Sequence, residues 1–260
     1  VTDVPAGTPH EPLPLTGERT VPGIPGERYW FHRHEAAYVW TVLHHLLPSD
    51  IVVEAGAGEG YGAELLRISG AARVIALDYD ESAIAHMQRA YPHLEAVRAN
   101  LIDIPVADET ANLVVSLQVI EHLWDVRTFL SECRRVLQPG GRLVISTPNR
   151  KVFSPGLARN EKPLNPFHVE EFDAEQLTEL VTAAGFAAVR VHGLHHAQRI
   201  AAFEATSGPL VPRLVELDMH DMTTWPSDIA DLVYATTAAD FDITTDVDGA
   251  HDLIVTAVRA

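Results

Sequence analysis

Ile51-Val-Val-Glu54-Ala-Gly56-Ala-Gly58-Glu-Gly60, followed by the amphipathic run Gly62 to Ile68 and then by Val74-Ile-Ala-Leu-Asp78, decides the fold. Ile51 to Val53 are apolar and β-branched without helical spacing, which reads as a buried strand. Gly56, Gly58 and Gly60 let the chain turn tightly at that strand's carboxyl end and bring backbone close to a ligand. A glycine-rich turn between strand and helix is by itself an ordinary connection. Asp78 adds to it, because a carboxylate closing the second strand can take both ribose hydroxyls of a nucleoside.

The alternation of strand and helix continues outward. Before the glycine stretch, Ala36, Val39, Trp40, Leu43 and Leu47 recur at helical spacing and Pro48 ends the run. After it, Glu95 to Ala99 reads as a third strand and Leu113 to Leu117 as a fourth. A helix with Phe129, Leu130, Cys133 and Val136 on one face follows, then the turn Pro139-Gly-Gly141 and a fifth strand, Arg142 to Thr147. Asp173 caps another helix, with Gln176 at the capping-box position and Gly185 as terminator. Phe186 to Val191 and Leu253 to Val258 make a sixth and a seventh strand. The pattern predicts an α/β fold: a doubly wound, seven-stranded, mostly parallel sheet covered by helices on both faces. Residues 1–32, rich in proline, read as an N-terminal arm. Residues 33–194 with 251–260 read as the sheet domain, and 195–250 as a helical insertion before the last strand.

The chain carries 19 Lys and Arg against 36 Asp and Glu, a formal net charge of −17 over 260 residues. That balance argues against nucleic acid as a partner, since a basic footprint is needed to neutralise phosphates. The insertion holds ten acids (Glu204, Glu216, Asp218, Asp221, Asp228, Asp231, Asp240, Asp242, Asp246 and Asp248) against Arg199 and Arg213. It reads either as a solvated excursion or as a lid and acidic substrate wall. No apolar stretch approaches the ~18 residues of a spanning helix, so no membrane insertion is expected. The single cysteine, Cys133, forms no intrachain disulfide, and a reducing, cytoplasmic setting is expected. Oligomeric state is left open.

Dinucleotide sites use G-x-G-x-x-G against pyrophosphate at a helix N-terminus. Here the spacing is G-x-G-x-G, with Glu54 ahead of it and Glu59 within it. Two acids suit a cationic ligand better than a dianionic one. S-adenosylmethionine, with its sulfonium and ammonium and no phosphate, is such a ligand. A nicotinamide-dependent oxidoreductase is further disfavoured by the lack of a Tyr-x-x-x-Lys pair.

On Glu54-x-Gly-x-Gly-x-Gly, Leu77-Asp78, Asn100 to Pro105, Gln118-Val-Ile-Glu-His122 and Leu137-Gln-Pro-Gly-Gly141, the chain resembles the class I S-adenosylmethionine-dependent methyltransferases. The resemblance implies their Rossmann-like fold, with an antiparallel last strand and a cofactor pocket above the first and fourth strands. It implies Glu54, Gly56, Gly58, Gly60, Asp78, Tyr79, Asn100, Leu101 and Gln118 as cofactor-binding residues. Asn100 stands where an aspartate is more usual. Its amide oxygen can still accept from the adenine amino group. A narrower resemblance rests on Leu15-Thr-Gly-Glu-Arg-Thr-Val-Pro22, Tyr29-Trp-Phe31, Ser146-Thr-Pro-Asn-Arg150, Asn165-Pro-Phe-His168 and Asp252 to Arg259. It is to the actinobacterial and mycobacterial sugar O-methyltransferases assigned to methylglucose lipopolysaccharide biosynthesis. It implies a glycan or other small-molecule acceptor, methylated on a sugar hydroxyl such as the 6-position of glucose.

Methyl transfer is an in-line displacement in which the protein aligns the acceptor and excludes water. A hydroxyl acceptor also loses a proton, so a base or a metal helps. Glu121 and His122 follow the fourth strand and His168 follows the fifth, so all three are expected to converge as catalytic residues. The same Glu121, His122 and His168 make a plausible set for a divalent metal such as Mg²⁺. Related metal sites use Glu-x-x-Glu-His, however, and Gln118 replaces the first glutamate, so the metal-free reading is preferred. Tyr29, Trp30 and His34 offer aromatic stacking for a sugar ring, or a staple that holds the arm. Asn149, Arg150 and His196 complete the expected acceptor contacts. A methyltransferase acting on carbon or nitrogen of another small molecule, or a non-catalytic binding subunit of the same fold, is the alternative.

Overall fold

The computed structural model describes residue 13 and residues 19–260; the prolines at 5, 9, 12 and 14 and the 15–18 part of the arm motif lie outside the described residues. Along the first half run α1 (Arg28–His45), β1 (Ile51–Ala55), α2 (Tyr61–Ile68), β2 (Arg73–Asp78), α3 (Glu81–Ala90), β3 (Glu95–Arg98), β4 (Ala111–Leu117) and α4 (Val126–Val136). Then come β5 (Leu137–Pro148), α5 (Arg150–Phe153), α6 (Ala174–Ala183), β6 (Phe186–His196), α7 (Gln198–Ser207), α8 (Leu210–Leu214), α9 (Ser227–Tyr234), β7 (Phe241–Thr244) and β8 (Asp252–Arg259).

The strands form one sheet in the order β3-β2-β1-β4-β5-β8-β6-β7. β1 pairs in parallel with both β2 and β4, and β8 lies antiparallel between β5 and β6. The chain winds outward from β1 to β3 and then returns to β4. The crevice between the carboxyl ends of β1 and β4 is therefore the switch point where such sheets take ligands. Val52, Val53 and Ala55 are buried on both sides of β1, one face packing on Phe129 and Leu130, the other on Leu65 and Leu66.

The expected α/β doubly wound sheet is present, with two differences in its elements. Where the pattern predicts seven strands there are eight among the described residues. β7 arises inside the 195–250 segment and pairs antiparallel with β6, which runs on to His196. Phe241 and Ile243 alternate there with Asp242 and Thr244, a period of two hidden by its brevity and its acid content. Pro139-Gly-Gly141 is no separate turn but an irregularity within β5, where the register jumps from Ala111–Leu137 to Leu113–Arg142.

Helix α1 begins at Arg28, so residues 28–32 of the expected arm are its first turn. Its buried apolar residues are Tyr29, Phe31, Ala36, Ala37 and Tyr38, while Leu43 is 66% exposed. A third apolar cluster joins this helix to the segment before β7: Tyr29 and Ala36 meet Leu210, Leu214, Ile229, Val233 and Phe241. Most acids of that segment are exposed outside this apolar face, while buried Asp240 is paired with Arg199 and half-buried Glu204 with His196, which is what lets the segment fold back onto α1. Among the described residues no helix is long and apolar enough to cross a membrane.

Candidate functional site

All nine expected cofactor residues lie in or just after the carboxyl ends of β1 to β4. The turn after β1 is held by the Leu77 carbonyl, which accepts from Gly56 N–H at 2.9 Å and Ala57 N–H at 2.8 Å. Gly56, Gly58 and Gly60 all have positive φ, at +88°, +56° and +98°. A Cβ at Gly56 would fall 2.4 Å from Val119 Cγ2 and one at Gly60 2.5 Å from Met87 Cγ, so packing requires these two glycines. Among the described residues a Cβ at Gly58 would make only ordinary contact, with Arg19 at 3.8 Å. Asp78 accepts from Gly58 N–H at 2.7 Å and from Asp80 N–H at 2.8 Å, which orients its carboxylate toward the turn.

Glu54 is wholly buried. Its Oε1 accepts a 2.5 Å hydrogen bond from the Tyr38 hydroxyl, and its Oε2 has no partner among the described residues. Burial pushes its pKa up to about 8, opposed by the Tyr38 bond and reinforced by the Asp78 charge. An orphaned, buried carboxylate oxygen beside a glycine turn fits a ligand that brings a cationic donor. Gln118 sits at φ +57° just beyond β4, and its amide donates to Ser146 Oγ at 3.3 Å. Tyr79 is 69% exposed with the Arg98 guanidinium 5.7 Å from its ring, Asn100 is exposed, and Leu101 is buried against the sheet. Glu59 departs from expectation. It turns into the core, accepts from the Tyr91 hydroxyl at 3.0 Å and pairs with His86 Nε2 at 2.7 Å, so it does not face the ligand side.

The described part of the arm lies over this turn. Arg19 pairs with Asp80 at 2.9 Å, the Thr20 hydroxyl is 3.3 Å from that of Tyr61, and Val21 packs with Leu13 on Ala83.

Glu121, His122 and His168 come together as expected. The Glu121 carbonyl accepts from Val169 N–H at 2.8 Å and Glu170 N–H at 3.2 Å, which draws the loop after α5 across the end of β4. The His122 and His168 rings meet edge to face, centroids 5.1 Å apart. His168 Nδ1 lies 2.7 Å from Glu171 Oε1 and its Nε2 3.0 Å from Asn165 Nδ2. His122 Nδ1 lies 3.3 Å from the Phe167 carbonyl and its Nε2 3.9 Å from Glu121 Oε1. Glu121, 1% exposed, accepts from Thr147 Oγ1 at 3.0 Å. Burial pushes Glu121 up to about 7 and lowers His122. One ligand atom from each of Glu121, His122 and His168 lies within 4.8 Å of the others, so the trio has the reach of a metal-binding set.

These residues form the floor of a cleft of about 720 Å³. Trp30 and His34 line it. Burial, with Arg33 beside it, lowers His34 to about 3. Four expected acceptor contacts are absent from its lining, each for a physical reason. Tyr29 is fully buried and bonded to His196 Nε2 at 2.7 Å. His196 is itself held by Glu204 at 2.8 Å and stacked on His251. Asn149 caps α5 and donates to the Ala250 carbonyl at 2.8 Å, and Arg150 is bonded to Asp173 and the Leu157 carbonyl. The expected acidic wall is also corrected: the 195–250 segment presents Val211, Leu214, Val215, Leu217 and Met219 to the cleft. Glu27 and Glu171, which also line it, went unnoticed in the sequence. Neither belongs to a motif, and only tertiary packing brings them there.

Residues 53–145 match the family model of a methyltransferase domain. Over 252 residues the chain is 45% identical to a probable S-adenosylmethionine-dependent methyltransferase of Mycolicibacterium smegmatis, covering 95% of each. Over 111 residues, 41% of this chain and 43% of the relative, it is 33% identical to a ubiquinone biosynthesis O-methyltransferase of Bradyrhizobium. Among solved structures, a Thermotoga maritima protein described as a possible histamine N-methyltransferase superposes with a TM-score of 0.59 at 16% identity, covering 89% of this chain and 94% of that one. At that identity the likeness is one of fold alone.

Proposed function

The chain belongs to the S-adenosylmethionine-dependent methyltransferases, and from that premise we propose that its acceptor is a sugar hydroxyl of a saccharide or glycolipid precursor. Methylation at O-6 of glucose units in methylglucose lipopolysaccharide is the reaction the narrower resemblance points to. When bound, S-adenosylmethionine supplies a methyl group on a sulfonium. Glu54, Gly56, Gly58, Gly60, Asp78, Tyr79, Asn100, Leu101 and Gln118 hold the cofactor in this reading. The Glu54 carboxylate meets its ammonium-bearing end and Asp78 its ribose.

The observation that carries the reading is the grouping of Glu121, His122 and His168 on the floor of a largely apolar cleft. A neutral amine attacks through its lone pair and can shed its proton after the transfer, whereas a sugar hydroxyl must lose its proton as it attacks, which a neighbouring base assists. Burial keeps the His122 imidazole neutral at neutral pH, and the Phe167 carbonyl takes its Nδ1–H, so Nε2 carries the lone pair. His168, oriented by Glu171, is the second candidate proton acceptor. Trp30 and the apolar walls take the C–H faces of a ring or the hydrocarbon of a glycolipid.

Metal assistance is the second reading, favoured by the reach of the same trio. The donor set of two imidazoles and one carboxylate suits a divalent cation. One experiment separates these readings: mass spectrometry of products from neutral α-glucans, glycolipids, phenols and amines, each with chelator and with chelator plus excess Mg²⁺. Methylated glucan or glycolipid supports the proposal. Methylated phenol or amine alone replaces the acceptor class, and loss of turnover restored by Mg²⁺ replaces the base.

A further inference from the structure

Glu27 takes no part in the roles above. It ends the short turn Pro25–Glu27 ahead of α1, is 3% exposed, and lines the cleft alongside Trp30 and Met219. No hydrogen bond or ion pair reaches its carboxylate among the described residues, and burial, the one cause acting on it, pushes its pKa up to about 7. The two guanidiniums on the cleft are committed elsewhere, Arg33 to Asp252 and Arg19 to Asp80. Its position is fixed by its neighbour: Gly26 packs so tightly on the Met219 carbonyl that a Cβ would lie 2.2 Å from that oxygen.

An unpartnered carboxyl in an apolar cleft is costly to the fold. The cost is offset when a ligand brings donors to it. We propose that Glu27 is the acceptor-reading group of this cleft, binding hydroxyls of an uncharged head group while Leu214, Leu217 and Met219 hold an apolar body attached to that head. A hydroxyl both donates and accepts, and so matches a carboxyl in either protonation state. The inference rests on the hydroxyl-methylation reading of the same cleft but is separable from the sugar assignment.

The test is calorimetric binding of n-octyl α-D-glucopyranoside, 1,2-octanediol and n-octylamine to the full chain saturated with S-adenosylhomocysteine. Glu27→Ala should weaken the glucoside and the diol by tenfold or more, the isosteric Glu27→Gln should recover most of that loss, and affinity for S-adenosylhomocysteine should stay the same in all three proteins. Equal affinity of wild type and Glu27→Ala for both hydroxylated probes overturns the proposal, as does failure of the wild type to bind either. Octylamine as the probe most weakened makes Glu27 a cation seat and also overturns it. If the diol binds and loses affinity in Glu27→Ala while the glucoside never binds, the role of Glu27 stands and the sugar assignment falls.

Discussion

The imidazoles of His122 and His168, from loops after different strands, meet edge to face at 5.1 Å because the Glu121 carbonyl ties the second loop to the first. A shared backbone acceptor thus sets the geometry of the site. His122→Ala and His168→Ala should keep cofactor affinity, since neither belongs to the turns after β1 to β3. The variant lacking the proton acceptor should lose roughly 10²–10⁴ in turnover. Single-turnover rates beside calorimetric affinities make the measurement. Full turnover in both variants removes the histidines from the reaction.

Asp78 anchors the glycine turn through Gly58 N–H, and the proposed function gives it the cofactor ribose as well. Asp78→Ala should weaken S-adenosylmethionine by about 1.5–3 kcal/mol, the scale of charge-assisted hydrogen bonds. Gly58→Val has a different cause. Among the described residues nothing collides with its Cβ, so the loss comes from the positive φ and from side-chain bulk added beside the turn. Binding should be abolished with only a modest drop in melting temperature. Unchanged affinity in both variants would falsify the assignment of the turn.

The sheet was legible because β1, β2 and β4 are mostly apolar runs with Glu54, Asp78 and Gln118 at or just past their carboxyl ends, and a parallel sheet buried on both faces leaves that trace. Local spacing also placed Glu121, His122 and His168, since each follows a strand whose direction the alternation fixes. It failed at Tyr29, Asn149, Arg150 and His196. For those residues the chemistry of the side chain was read correctly, but the partner that consumes it (His196, Ala250, Asp173 and Glu204) belongs to another element or loop, and for Tyr29 and Asn149 it lies more than 100 residues away. It missed Glu27 for the converse reason: a lone carboxyl in a proline-rich turn has no period or motif, and that turn is covered by the backbone around Met219 and by α9, both far along the chain.

Arg19 and Asp80 pin the arm over the glycine turn, and their ion pair is partly exposed. Asp80 also caps α3 through Ser82 N–H, so Arg19→Ala is the cleaner probe. A pair of this kind is worth about 0.2–1 kcal/mol, so cofactor dissociation should accelerate up to roughly fivefold with little change in melting temperature. Stopped-flow release of S-adenosylhomocysteine measures it. An unchanged rate means that the arm does not hold the cofactor in place.

Glu54 links cofactor binding to pH. Its folded pKa of about 8 lies above the unfolded value of 4.5, so the stability its protonation contributes is fully present below pH 4.5 and is lost as pH rises through 8. A cationic ligand favours the ionised form, so binding should expel a proton below pH 8. Affinity for S-adenosylmethionine should then climb with pH by up to roughly tenfold per unit and level off above 8. At pH 7 the calorimetric enthalpy should depend on the ionisation enthalpy of the buffer. Glu54→Gln keeps the shape and the bond from Tyr38 while removing the charge. It should bind more weakly at high pH, show no buffer dependence, and lose less stability than wild type between pH 7 and 9. Buffer-independent enthalpy in the wild type would mean that Glu54 keeps its proton with the cofactor bound, and would take it out of contact with the ligand's charge.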